Sequence, residues 1–331
     1  MANPLERMVF DTGRLMAEHP PQWRHPNKRV VYEIACPPGS PHTGSLVYSR
    51  WEALPLPDTV NLADASSRVI VREDVYDYSP VLPSNDAVEW HVNFADPHLF
   101  VAYGSSLLAQ DEMQVAEHPA LGALREALVA GGYAARTVEH GQPTPVLVMG
   151  VERRCRIATD RNPSEGRPAG LYGNAFARAG TDAIRRATRR LDPPTVTNLI
   201  AMAAPSGGYG QYERQTIEHI LVTAFTGFHA AVLEANRNRQ RAVPVGVHTG
   251  FWGCGAFGGH RELMAMLQIV AAQMAGLERL VFHTFDAAGT MALRAALDRI
   301  EHELAGQTLN TAELLRRIVA MGFRWGVSDG N

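Results

Sequence analysis

The stretch VHTGFWGCGAFGGHRELMAML, residues 247–267, sets Gly253, Gly255 and Gly258 in a G-x-G-x-x-G array between an apolar run and a helical pattern. Glycines let a backbone approach a diphosphate without a Cβ clash, and N–H groups at a helix start attract anions. A second group with chemical potential is Gln110-Asp111-Glu112, where two adjacent acids are expected in the first turn of a helix. Side chains one residue apart on a helix point about 100° apart, so the two carboxylates would do different work. One could hold a sugar hydroxyl while the other meets water or a leaving atom, as glycosidic cleavage requires. The helix dipole also favours acids in a first turn with no further role, and on residue types alone that plain reading is the stronger.

These groups need elements to position them. From residue 66 onward, strand-like and helical segments alternate. VEWHVNFAD, TPVLVMGVE, VTNLIAMAAP, AVPVGVHTG and RLVFHTFD read as strands. The segments beginning at Leu107, Ala175, Tyr212 and His260, and AELLRRIVAMGF, read as helices. Alternation of this kind implies an α/β sheet covered on both faces. Residues 1–60 are rich in proline and short of periodic pattern, with one short strand expected at RVVYEIA. They read as an irregular N-terminal extension draped on a domain at 61–331. The glycine array itself falls late in the chain, and Phe251–Trp252 separates its first glycine from the strand. Both features argue against a Rossmann turn, which is tight and opens its sheet.

Composition narrows the classes further. A net charge of -3 gives no general attraction to nucleic acid or anionic membrane. Lys28 is the only lysine, a bias that reads as base composition. Cys36, Cys155 and Cys254 form no disulfide framework and no C-x-x-C pair. His248, His260 and His283 flank the glycine array without metal-ligand spacing, so no metal is expected. Arg185, Arg186, Arg189 and Arg190 read as a solvated helix stripe. With no secretory h-region and no apolar run of membrane length, the expectation is a cytoplasmic protein, a secreted effector being the alternative.

The wider string TGFWGCGAFGG, followed by a helix and VFHTF, resembles the diphosphate-binding segment of poly(ADP-ribose) glycohydrolases. VNFADPHLFVAYGSSLLAQDEM, residues 92–113, is similar to their catalytic segment, with Gln110, Asp111 and Glu112 on its Q-E-E triplet. GLYGNAFA, residues 170–177, resembles the tyrosine-bearing loop. The resemblance spans roughly residues 70–290 and implies a macrodomain, a mixed sheet between helices with an ADP-ribose cleft. It implies Glu112 as catalytic acid/base, Asp111 on the distal ribose and Asp96 lining it. It places the diphosphate on Gly253, Gly255, Ala256, Phe257, Gly258 and Gly259. Phe285 would stack on adenine and Tyr172 close over the ligand, while Gln110, Tyr103, Gly104 and Ser105 complete the binding set. No cofactor is implied.

The departures concern the family's G-G-G loop, replaced here by Phe100, Val101 and Ala102 before a flexible Tyr103–Ser106, and Asp96, Asn93 and Asp111, which stand for asparagine, aspartate and the first glutamate. These are closer to a divergent branch that removes single ADP-ribose units from arginine, including on ubiquitin, with Asp77 and Asp86 as candidates for its further acids. The expected activity is therefore release of mono-ADP-ribose from modified protein. The alternatives are a poly(ADP-ribose) glycohydrolase, a non-catalytic ADP-ribose-binding module, and a nicotinamide-dependent oxidoreductase, against which the position of the glycine array argues.

Overall fold

In the computed structural model of the chain, residues 2–83, 86–306 and 308–330 are described. The chain begins with β1 (Glu6–Asp11), α1 (Thr12–Glu18), α2 (Pro26–Ala35) and β2 (Ser45–Arg50). A short β3 (Thr59–Asn61) precedes β4 (Val69–Arg72) and β5 (Val88–Phe94). Then come α3 (Gln110–Glu117), α4 (Ala120–Ala130), the small hairpin of β6 (Val138–Glu139) and β7 (Gln142–Pro143), and the long β8 (Val146–Ile157). Helices α5 (Ala175–Arg178) and α6 (Thr181–Ala187) lead into β9 (Thr188–Met202). The remaining elements are α7 (Arg214–Asn236), β10 (Val245–Thr249), α8 (Arg261–Ala275), β11 (Arg279–His283), α9 (Ala287–Arg299), β12 (Thr308–Asn310) and α10 (Thr311–Ala320).

Eight strands form one sheet in the order β1-β2-β8-β9-β5-β10-β11-β4. Pairs from β1 to β9 are antiparallel, and pairs from β9 to β4 are parallel. One face is covered by α7, α8, α9 and α10 over Trp90, Val92, Val247 and Phe282. The other carries α1 and α4 over Leu46, Tyr48 and Val148, and α2 beside Cys155 and Ile157. This is the mixed sheet between helices expected of a macrodomain.

The expectation of an irregular N-terminal extension is corrected. β1 and β2 are two strands of the main sheet, and RVVYEIA lies within helix α2. Pro26 at the first helical position and the His25 ring accepting from the Asn27 amide (3.3 Å) start that helix. The arginine stripe is also divided, Arg185 and Arg186 lying on α6 and Arg189 and Arg190 on β9. Helix α7 is long and apolar enough to cross a membrane by length and composition, but it packs on α8 and the sheet as a core helix.

The second face of the central strands is polar, because side chains alternate along a strand. On β5, Glu89, His91 and Asn93 point away from the Trp90 and Val92 core. Two carboxylates bracket two imidazoles there: Glu89 to His248 at 2.9 Å, His248 to His283 at 3.1 Å and His283 to Asp74 at 2.8 Å. His91 stacks on His248 at 4.2 Å, and Tyr78 continues the column under the Arg153 guanidinium. Burial holds His91 well below the usual imidazole range and His118 at about 3. The unfolded chain takes these protons near pH 6.5 and the folded chain does not, so stability present above that pH is lost on acidification. Each such group contributes up to about 1.4 kcal/mol per pH unit below it. The urea midpoint is therefore expected to fall between pH 7.5 and 5, and a constant midpoint would contradict the buried neutral state.

Candidate functional site

β5, β9, β10 and β11 run parallel, so the loops leaving their carboxyl ends gather on one edge of the sheet, where open α/β sheets bind ligands. After β10, Trp252 is buried and its indole N–H donates to the Met202 carbonyl (2.9 Å), fastening the glycine loop to the end of β9. Gly253 has φ +75°, and a Cβ there would lie 2.5 Å from the Ala204 methyl. A Cβ on Gly259 would lie 2.7 Å from the Gly253 carbonyl, which accepts the Gly259 amide at 2.9 Å. These two glycines are required by the closure of the loop itself. At its crest the amides of Gly255, Ala256 and Phe257 take no protein acceptor among the described residues. Ala256 is exposed, and Phe257 is half-buried against the core.

The acid turn is the start of α3. Glu112 Oε2 accepts from the Ala109 amide at 3.1 Å, so one carboxylate oxygen caps the helix. Glu112 Oε1 takes no protein hydrogen bond among the described residues. Asp111, 6% exposed, accepts from Asn93 Nδ2 at 3.0 Å. Burial first, then the neighbouring Glu112 carboxylate, push its carboxyl well above the usual carboxylate range, and Asp96 adds to the same effect. Asp96 is partly exposed beyond β5, and its Oδ1 accepts from the His98 amide at 2.8 Å. The turn thus joins a carboxyl that tends to hold its proton to a second carboxylate with one uncommitted oxygen.

The tyrosine loop meets this turn. Tyr172 is 44% exposed, and its phenol end lies by the backbone N–H of Gln110 at the start of α3. Burial of that end and the Asp329 carboxylate push the phenol up to about 12. After β11, Phe285 has φ +68° and is 67% exposed. A non-glycine residue held there costs on the order of 1–3 kcal/mol, a pattern that clusters at ligand clamps. Its neighbours are anchored: Thr284 Oγ1 lies 2.8 Å from Thr290 Oγ1, and Asp286 accepts from the Gly289 amide at 2.7 Å.

Four expected binding residues have other occupations. Gln110 spends its amide on β5, Nε2 donating to the Val92 carbonyl (3.0 Å) and Oε1 accepting from the Phe94 amide (2.8 Å). Tyr103 is buried edge-on to Trp23, and its hydroxyl donates to Glu126 and accepts from the Gln22 amide. The Gly104 carbonyl accepts both the Arg24 and His25 amides at 3.0 Å, and a Cβ on Gly104 would lie 2.2 Å from the Gln22 carbonyl. Ser105 Oγ accepts from the Leu107 amide as a turn residue. The loop expected to be flexible is therefore pinned by residues 22–25, with Phe100 in the core rather than in the cleft. Of the further acids, Asp77 accepts from the Ser79 amide and faces Arg72, and Asp86 is exposed. Among the described residues, no group of three or more His, Cys, Asp and Glu side chains is arranged to hold a metal ion.

Sequence reasoning missed Lys28. It is completely buried, and its ammonium donates to the Tyr103 carbonyl (2.9 Å) and the Glu112 carbonyl (3.4 Å), tying the pinned loop to the acid turn. Burial lowers it to about 7, with Glu112 and Asp111 opposing. A single lysine among 31 basic residues was the available signal.

Residues 170–292 match the family model described as poly(ADP-ribose) glycohydrolase (PARG), macro domain fold. The resemblance is to the poly(ADP-ribose) glycohydrolases. The PARG-like segment carries Tyr172, the glycine loop and Phe285, whereas the acid turn lies before it. A curated relative, the probable poly(ADP-ribose) glycohydrolase 2 of Arabidopsis thaliana, is 37% identical over 154 residues, covering 37% of this chain and 29% of that protein. The chain thus spans less than a third of that relative's length. Among solved structures, the Thermomonospora curvata PARG bound to the inhibitor ADP-HPD is 15% identical with a TM-score of 0.48, covering 83% of this chain and 100% of that one. The Deinococcus radiodurans PARG in complex with ADP-ribose is 12% identical with a TM-score of 0.42, covering 89% and 94%.

Proposed function

We propose that the chain is an ADP-ribosyl hydrolase that removes mono-ADP-ribose from arginine on modified proteins, ubiquitin among the candidate targets. The observation that carries the reading is the buried pair Asp111 and Glu112, set beside the Tyr172 loop on the sheet edge that also bears the glycine loop and Phe285. ADP-ribose lies with its diphosphate on the amides of Gly255, Ala256 and Phe257, its adenine against Phe285 and its distal ribose at Asp96, Asp111 and Glu112. Asp111, holding its proton, donates to a ribose hydroxyl.

Glu112 orients water through its uncommitted oxygen and takes a proton as that water's oxygen bonds to the anomeric carbon. The carbon–nitrogen bond breaks, and its electron pair leaves with the guanidine, which receives the proton. The oxocarbenium character of this step is where a nearby carboxylate contributes. No cofactor enters. The pinned 100–105 loop, with Phe100 and Tyr103 in the core, supports a mono-ADP-ribosyl substrate, because it differs in kind from the glycine loop of polymer-cleaving relatives.

A second reading, cleavage of poly(ADP-ribose), is favoured by the family match and the Arabidopsis relative. Matched arginine-linked and polymer substrates separate the two readings. Wild type is expected to clear the arginine-linked substrate, with Asp96→Ala slower by about 10-fold or more through lost ribose positioning. Equal rates on polymer would make the second reading the correct one. ADP-ribose binding with no release from either substrate would leave a binding module.

A further inference from the structure

The glycine loop is covered by residues of its own chain. Phe323 and Trp325 anchor a segment beside it. The Tyr212 amide donates to the Phe323 carbonyl (2.9 Å), the Trp325 amide donates to the Gly210 carbonyl (3.0 Å), and the Trp325 ring stacks on Tyr212 at 4.2 Å. From this anchor the chain crosses the loop. The Gly326 amide donates to the Gly258 carbonyl (2.9 Å) and the Asp329 amide to the Gly255 carbonyl (3.4 Å). Asp329 Oδ2 stands 3.1 Å from the point a Cβ on Gly255 would occupy. At the far end, Asn174 Nδ2 donates to the Gly330 carbonyl (3.2 Å), so the segment bridges the glycine loop and the tyrosine loop.

We propose that residues 326–330 are a displaceable strap that lays the chain's own carboxylate, Asp329, on the glycine cradle, so that a diphosphate-bearing ligand binds only by lifting it. The proposal rests on the ADP-ribose reading for the identity of the ligand, not for the cradle. Three features carry it. The Asp329 carboxylate is set against Gly255, in the loop whose crest amides take no protein acceptor among the described residues. The strap is held over the loop by backbone hydrogen bonds, while Val327 is 91% exposed and buries nothing. The aromatic anchor stays in place when the strap lifts, so the movement needs no loss of core. The strap therefore sets specificity: a weak or monoanionic ligand does not repay its displacement, and a diphosphate does.

The test compares wild type with Asp329→Ala and with Gly326→Pro, which deletes the amide that holds the strap to Gly258. Both positions are exposed, so neither substitution threatens the core. ADP-ribose and inorganic pyrophosphate are titrated separately by calorimetry. If the covered state predominates, both variants bind ADP-ribose about 10-fold tighter or more, because affinity is reduced by the fraction of competent molecules. Unchanged or weaker ADP-ribose binding in Asp329→Ala overturns the strap and makes the segment part of the binding wall. Pyrophosphate binding that tightens in both variants while ADP-ribose binds to none keeps the strap and rejects the ADP-ribose reading. Failure of both probes on all three proteins rejects both.

Discussion

Glu112→Gln is expected to lower the rate of ADP-ribose release by about 10²–10⁴-fold, the range for loss of a general acid–base group. The substitution is informative because glutamine can keep the structural half of the residue's work. Glu112 Oε2 accepts the Ala109 amide, and a glutamine carbonyl oxygen can do the same at this third position of the helix. What is lost is the ability to take a proton from water. Thermal stability should therefore stay close to wild type, and ADP-ribose binding should fall far less than turnover. Full activity in Glu112→Gln would move the chemistry to Asp111 or Asp96. Loss of activity accompanied by a large drop in melting temperature would return the residue to the role of a helix cap.

Lys28→Met is expected to change how stability depends on pH. The folded chain holds the Lys28 proton less tightly than the unfolded chain, with the folded value lowered from 10.5 to about 7. The sign follows: this group's contribution is complete above 10.5 and is lost as pH falls toward 7. Wild type should therefore gain on Lys28→Met as pH rises from 7 to 10, by up to about 1.4 kcal/mol per pH unit. Guanidinium unfolding of both proteins at pH 7, 8, 9 and 10 measures the difference, and parallel curves would rule out a depressed lysine. Asp111 runs the other way, its raised affinity giving stability that is lost as pH rises through the folded value. Near neutrality both groups cost the fold stability, as expected of a site kept for chemistry.

Much of this was legible in the chain and some was not, for physical reasons. The glycine loop could be read because Gly253 and Gly259 have no room for another residue. The acid turn could be read because its spacing from β5 is fixed by the Gln110 clamp on Val92 and Phe94. Helix α2 was misread because Val30, Val31 and Tyr32 favour strands by type, and only Pro26 at its start argued otherwise. The run VEWHVNFAD was read correctly as a strand. It could not show that the polar side would be buried beneath α3 and the 73–82 segment. The strap over the glycine loop rests mainly on backbone hydrogen bonds, which leave little trace in residue types.

The pairing of β4 with β11 has a consequence for synthesis. Val69 lies opposite Leu280, and Asp74 meets His283 across a separation of 209 residues. A ribosome adding about 5–20 residues per second needs about 10–40 s to supply the second partner after the first. For most of that interval the acid turn has already been synthesised, while the aromatic clamp at Phe285 and the edge of the sheet beside it have not. A nascent chain cannot assemble the whole cleft until the last strand of its parallel half has emerged.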